Sequence, residues 1–530
     1  MAPKLKYVAI PADLSEAVTY SPTGTLLLCD VSARSNEVLS FLSRLRRFNM
    51  GFFPTEVVDL KAFQVIRQQQ KREDSLGGNT NPTAAQGELV TDTFRKARAL
   101  FEEGYKLRAS DIHIRIYLEQ WAEILFRIHG SMTHIRRINW EEGRKLCQAI
   151  YQSIADVADP TYREGVPQDA RIARAADLPD GLTGIRIASG PHAHGSYMVL
   201  RLLYEAVEGV SGGLGDRLRH LGYSEQHILS IELMRRRPAG MNIIAGPTGS
   251  GKSTTLKHTM ESILLTRPDL NLMSVEDPPE YPMAGVVQVP VTNAESQEAR
   301  AEAFTKTIRL ALRSDPDIIM IGEIRDAESA RLAIQASMTG HQVWTTLHAN
   351  DAFNILSRMV DILATQAGNP MNTLADPSIL TGVIAQRLIK TLCPHCKIPF
   401  RMGHRLIPED VEGRLIKVMD ASDFNSVYLR GQGCTHCRNG IAGRTVVAEV
   451  VCPDPKMMDF FRTDGITAAR NYWLKEQKGK TFIHHAISKI RDGIVDPVLA
   501  EEVVGPLTMD MVFEDGTIEE AEYVSLVRSN

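Results

Sequence analysis

The chain has 530 residues, 43% of them hydrophobic, enough for two or more cores because a single core seldom grows past about 250–300 residues. Sixty basic against sixty-four acidic side chains leave a formal charge of −4 and a pI near 6.5, so no overall positive field exists to hold a phosphate backbone, and nucleic acid is not an expected partner. The first residues lack a long apolar stretch with a cleavage site, and no run of about 18 apolar residues could cross a bilayer, which predicts a cytoplasmic chain with peripheral membrane contact at most.

Residues 1–66 carry mixed patterning, with one amphipathic helix expected from Val38 to Phe48, where Leu39, Leu42, Leu45 and Phe48 share a stripe. Residues 67–89 are too polar to pack and read as a flexible linker. Residues 90–207 open with a helix, Thr91–Glu103, and continue in alternating segments at 112–117 and 122–128 that read as strands of an α+β module. Residues 208–237, with Gly212, Gly213 and Gly215, read as an interdomain linker. Between 238 and 390, apolar strands at Met241–Ala245, Asn271–Val275, Ile318–Ile321 and Gln342–Leu347 alternate with amphipathic helices, the pattern of a parallel sheet wrapped by helices. Residues 391–450 hold paired cysteines, and 451–530 read as helical with an acidic stretch, Glu514–Glu522.

Gly246, Pro247, Thr248, Gly249, Ser250, Gly251, Lys252, Ser253 and Thr254 carry the G-x-x-x-x-G-K-[ST] pattern between a strand and a helix starting near Lys252. Glycines let the backbone curl so that N–H groups point at phosphate oxygens, and the helix N-terminus adds its positive end. Lys252 is then placed to neutralise the β- and γ-phosphates of ATP, and the Ser253 hydroxyl to hold Mg²⁺. An acidic residue at the end of a second apolar strand completes such a metal site, and Glu323, closing the run from Asp317, supplies one. A second carboxylate cluster, Glu276, Asp277 and Glu280, follows another strand, where one member is placed to orient or deprotonate the attacking water; an acidic turn built by Pro278 and Pro279 is the plainer alternative. His341 and His348 flank the strand Gln342–Leu347, and His348 lies at the strand end where open α/β sheets bind ligands.

Together these segments resemble the secretion and type IV pilus ATPase superfamily from about Ala109 to Pro497. The resemblance rests on Ala109–His113, Pro167–Arg171, the phosphate loop, the Asp box Val275–Glu280, the Walker B segment Arg313–Asp326, the His box Thr339–Asp351 and the short segment Ala385–Leu388. It implies a RecA-like P-loop core with a parallel sheet, preceded by a PAS-like α+β domain and carrying a zinc-binding insertion and a helical C-terminal region. It further implies that Glu276 activates water, that Glu323 is the Walker B carboxylate, that His348 lies near the γ-phosphate, and that Arg186 and Arg201 reach ATP from a neighbouring domain or subunit. Arg309 and Arg313, one helical turn apart, are expected to face the same nucleotide from the core. Residues 1–66 take the place of the family's docking region. Two departures bear on subfamily. Ala170 stands where the family usually has glycine, which costs strain if that position needs a positive φ, and residues 114–117 lack the usual Glu-Pro.

Cys393, Cys396, Cys434 and Cys437 form two Cys-x-x-Cys pairs, a spacing that suits tetrahedral Zn²⁺ in a structural role, with His395 and His436 inside the loops and not ligands. Cys29, Cys147 and Cys452 read as buried small apolar residues. Within the resembled family the cysteine module marks assembly or export ATPases. The leading expectation is therefore a homohexameric ATP-hydrolysing motor for type IV pilus assembly, acting on an inner-membrane platform protein. A type II protein secretion ATPase or a retraction motor is the alternative within the class. A nucleic-acid translocase is more remote for want of a basic stripe with stacking aromatics, and a non-hydrolytic scaffold is disfavoured because Lys252, Glu276 and Glu323 are all present.

Overall fold

The computed structural model describes residues 14, 17–20, 26–29, 38, 55–58, 82–156, 161–205, 212–291, 297–364 and 370–508. The expected helix beyond Val38, most of the linker 67–89 and the acidic stretch Glu514–Glu522 lie outside the described residues. The chain divides into two units, Met1–Asp92 and Thr93–Asn530. In the first, strands β1 (Val18–Tyr20), β2 (Leu26–Cys29) and β3 (Thr55–Val58) form one sheet, with β1 antiparallel and β3 parallel to β2.

A helix longer than expected, Pro82–Lys106, begins within the stretch expected as a linker and carries the chain into the second unit. An antiparallel sheet follows, built from β4 (Ala109–Tyr117), β5 (Trp121–Ile128), β6 (Ser131–Ile138), β7 (Gln168–Ile172), β8 (Leu182–His192) and β9 (Gly195–Tyr204) in the order β6-β5-β4-β9-β8-β7. Alternation of apolar and polar residues gives it one dry face. Ile112, Ile114 and Ile116 of β4 and Ile124 and Phe126 of β5 are almost wholly buried, together with Leu100, Phe101 and Ile150 from flanking helices. Each such side chain contributes about 1.5–3 kcal/mol by leaving water. The other face keeps its polar side chains, and Asp111, Arg127, Arg186 and Arg201 on it line a large cleft. Ala170 sits inside β7 paired with Ile187 and has no positive φ, so the residue that replaces the family's glycine is unstrained.

The core is a seven-stranded sheet of β10 (Gly240–Ala245), β11 (Leu272–Glu276), β12 (Val287–Pro290), β13 (Ile318–Ile321), β14 (Gln342–Leu347), β15 (Leu380–Leu392) and β18 (Ile441–Val451), ordered β12-β11-β13-β14-β10-β15-β18. All pairs are parallel except β15 with β18. Its central strands read as continuous apolar runs because helices cover both faces. Met241, Ile243 and Ala245 of β10 face one cluster with Ile319 and Val343, whereas Ile244 faces the other with Met320 and Trp344.

Two expectations need correction. Residues 208–237 were expected as a linker, but helices Leu214–Leu221 and Glu225–Arg236 occupy most of that span. Leu214, Leu218, Ile228, Ile231 and Met234 repeat at helical spacing and are buried against the sheet, so this segment is part of the core. Residues 391–450 were expected as one cysteine module. Instead β15 runs to Leu392 and β18 starts at Ile441, so the module, with its short strands β16 (Ile398–Pro399) and β17 (Tyr428–Leu429), is inserted between two neighbouring strands of the main sheet. Four further helices between Pro455 and Val504 complete the unit.

Glu449 of β18 is buried and accepts hydrogen bonds from the Ala352 N–H (3.0 Å) and, with its other oxygen, from the Phe482 N–H (3.3 Å). Burial pushes its carboxyl up from 4.5 to about 7, against the pull of the Ala352 N–H. A carboxyl with a raised folded-state pKa holds its proton more tightly folded than unfolded. Its contribution is fully present below about pH 4.5 and is lost as pH rises through about 7. Across that window the chain is expected to lose up to about 3 kcal/mol that E449Q does not lose. Thermal midpoints of the two proteins measured from pH 5 to pH 8 test this, and parallel profiles would rule it out.

Candidate functional site

The turn between β10 and the helix Lys252–Thr266 carries three glycines at positive φ, Gly246 at 151°, Gly249 at 78° and Gly251 at 87°, which a side chain would strain. The Lys252 ammonium donates to the carbonyls of Gly246 (2.7 Å) and Pro247 (3.2 Å). Burial lowers its pKa, and the carboxylates of Glu323 and Glu280 oppose that shift. The loop opens into a cleft of roughly 1980 Å³, larger than the about 300–1000 Å³ of an ordinary small-molecule pocket.

Glu276, at the end of β11, and Glu323, just past β13, both line the cleft, as does His348 just past β14. Parallel neighbouring strands end on the same side, so the sheet itself brings these groups to the phosphate loop. One oxygen of Glu276 accepts from the Ser274 hydroxyl (2.7 Å) and from the Gln288 side-chain amide (2.9 Å). Gln288 is itself held, since its carbonyl accepts the Met283 N–H at 2.9 Å and its amide also donates to the Tyr281 carbonyl at 2.9 Å. Glu276 is thereby oriented by two donors that sequence reading did not single out. Ser274 shares a strand face with Glu276 two residues on, a weak signal; Gln288 is opposite Ser274 in the β11–β12 register, which no spacing in the sequence reveals.

Glu323 accepts from Arg325 (2.7 Å), and its other oxygen lies 3.1 Å from His348 Nε2. Asp277 pairs with Arg300, whose Nε is 2.8 and 2.9 Å from its two oxygens, and Glu280 lines the same wall. His341 is elsewhere, its Nδ1 against the Ala336 carbonyl and the Thr339 hydroxyl.

The opposite wall comes from the antiparallel sheet. Register pairs Arg171 with Arg186, Arg186 with Arg201, Arg201 with Asp111 and Asp111 with Arg127, so four arginines and one carboxylate form a row across five strands. Like charges set side by side in a sheet are unfavourable on their own, and an anion between the walls relieves them. Asp111 takes Arg201 at 3.0 Å and Arg127 at 3.7 Å. Arg186 donates to the Pro278 carbonyl of the Asp box at 3.1 Å, and burial lowers its pKa, with Glu280 opposing. Arg186 and Arg201 both line the cleft. Arg309 and Arg313 do not. Arg309 is paired with Glu328 in the first turn of the helix Ala327–Met338, where a carboxylate is favoured, and Arg313 is exposed outside the cleft, so the expectation that both face this nucleotide site is corrected.

Cys393, Cys396, Cys434 and Cys437 come together with all four sulfurs within 4.8 Å of one another. The separations Cys393–Cys434, Cys396–Cys437 and Cys434–Cys437 are 3.8, 3.5 and 3.7 Å. Zn–S bonds of about 2.3 Å at tetrahedral angles put sulfurs about 3.8 Å apart, and these three separations match that spacing. His395 and His436 stack on each other at 4.1 Å. Cys29 and Cys147 are buried and Cys452 is half-buried.

A glycine loop between strand and helix, a lysine at the helix start and carboxylates at the neighbouring strand ends are the features of a P-loop nucleotide-hydrolysing core. The chain belongs to the type II/IV secretion system protein family, whose model matches residues 91–515. It is 31% identical to type II secretion system protein E of Pseudomonas aeruginosa over 495 residues, 88% of this chain and 91% of that one. It is 32% identical to type II secretion system ATPase E of Vibrio cholerae over 408 residues, covering 76% and 71% of the two chains. In fold it is similar to the ATPase DotB of Legionella pneumophila, with a TM-score of 0.51 at 20% identity over 76% of this chain and 94% of that one. These relatives fit the alternative, type II secretion, better than the leading expectation of pilus assembly. A closed thiolate cluster supports a fold and carries no information about what the motor moves, so the cysteines, which mark assembly and export ATPases alike, do not decide between the two.

Proposed function

We propose that the chain hydrolyses ATP in the cleft between its two walls and that the resulting domain movement drives type II protein secretion. The observation that carries this reading is the match to type II secretion system protein E across nearly the whole of both chains. The chemistry follows from the cleft. Lys252 and the loop N–H groups bind the β- and γ-phosphates, Ser253 and Glu323 hold Mg²⁺, Glu276 takes a proton from the attacking water, and His348 sits by the γ-phosphate. Mg²⁺ supplies charge neutralisation at the phosphate oxygens. Arg186 and Arg201 meet the spreading negative charge from the opposite wall, so hydrolysis depends on how the walls are placed, and that dependence links chemistry to motion.

The working form is a homohexamer that meets an inner-membrane platform protein, and its membrane contact is peripheral. Among the described residues no helix is long and apolar enough to cross a membrane. The four cysteines would hold zinc, which would tie the end of β15 to the start of β18. A chelator that strips it is expected to release one zinc per chain and to lower the melting temperature by several degrees, and an unchanged melting curve after complete removal would exclude a structural role.

Deletion of the gene in its own host tests the cargo. Type II substrates should fail to reach the medium while surface pili persist. Loss of pili with secretion intact would return the chain to pilus assembly.

A further inference from the structure

Beneath the phosphate loop lies a chain of buried polar groups that the reaction itself does not use. The Tyr223 hydroxyl, on the turn between the helices Leu214–Leu221 and Glu225–Arg236, donates to Gln386 Oε1 at 2.6 Å and is 3.2 Å from the Thr255 hydroxyl. The same Gln386 side chain donates through Nε2 to the Ser250 carbonyl of the loop at 2.7 Å. Tyr223, Ser250, Thr255 and Gln386 are each 3% exposed or less, so no solvent replaces a lost partner.

We propose that Tyr223 and Gln386 are positioning residues that set the phosphate-binding geometry of the loop, an inference that rests on the reading of Gly246–Ser253 as the ATP phosphate site. In a trans peptide the C=O and the following N–H point in opposite directions. Pinning the Ser250 carbonyl down into the core therefore aims the Gly251 N–H up into the cleft. The Ser250 carbonyl can only accept, so it takes the Gln386 nitrogen, and the Tyr223 hydroxyl, by donating to the amide oxygen, holds the amide in that orientation. The fit is close. A Cβ on Gly246 would lie 2.3 Å from the backbone carbonyl oxygen of Gln386, and one on Gly251 would lie 3.2 Å from its side-chain Nε2.

The turn is anchored in its own right. The Lys489 ammonium donates to the Gly222 carbonyl at 2.6 Å, and the Thr445 hydroxyl to the Leu221 carbonyl at 3.4 Å. The loop is thus held, through one tyrosine and one glutamine, to the helix pair that follows the antiparallel sheet in the chain.

The test measures the dissociation constant of Mg-ADP and the KM and kcat for Mg-ATP on full-length Y223F, Q386L, T381V and K252A. Y223F keeps its ring in place and is expected to raise the dissociation constant and KM about three- to tenfold with a smaller change in kcat; Q386L is expected to do at least as much. T381V is the control, since it removes buried bonds to the Met241 carbonyl and Asn242 at the other end of the same strand pair and should lower stability without changing nucleotide affinity. Wild-type affinity and KM in Y223F, or an equal shift in T381V, would overturn the inference. K252A separates the two levels. If it binds and turns over nucleotide normally, the phosphate-site reading fails; if it does not, while Y223F is unchanged, only the positioning role fails.

Discussion

Replacing Lys252 by Ala is expected to abolish ATP turnover and to weaken Mg-ADP binding roughly 30- to 150-fold, the equivalent of one or two charge-assisted hydrogen bonds. The ammonium lies within reach of two loop carbonyls and near Glu323 and Glu280, so it is already held where β- and γ-phosphate charge would sit. Alanine removes the only cation of the loop itself, and the Gly246 carbonyl loses its donor. Calorimetric titration with Mg-ADP and continuous measurement of released phosphate read both effects. Turnover near the wild-type rate would remove the loop from the reaction.

Replacing Glu276 by Gln is expected to separate binding from hydrolysis. The glutamine oxygen can still accept from Ser274 and Gln288, so the side chain stays in place and the walls of the cleft are undisturbed. Its amide cannot take a proton. Loss of a general base costs about 10²- to 10⁴-fold in rate, and if Glu276 has the proposed role at the water, the nucleotide should bind with near wild-type affinity. The comparison is kcat against the Mg-ADP dissociation constant. A large loss of affinity would make Glu276 a structural carboxylate, and an unchanged kcat would pass the base role to another group.

Much of this cleft was legible in the sequence because strands buried on both faces leave unbroken apolar runs. β13 and β14 begin and end where those runs do, and the phosphate loop follows β10 directly. The carboxylates could be placed because parallel strands end on one side. Other parts depended on tertiary register. β15 and β18 were missed because the cysteine pairs drew a boundary through them, although Thr445 to Val451 is mostly β-branched. The helices at 214–236 were hidden by the glycines that flank them. The arginine row needed the alignment of five strands, and Gln288 needed the pairing of β12 with β11. Arg309 was misplaced because helical spacing shows which residues share a face and not what that face meets; Glu328 claimed it.

The central claim, that hydrolysis in this cleft is what drives export, is tested most directly in cells whose only copy of the chain carries E276Q. Secreted type II substrates in the medium are the readout, with the level of the chain measured alongside. Export is expected to be lost while the chain accumulates to wild-type levels. Export at the wild-type rate from a variant whose purified form does not hydrolyse ATP would contradict it.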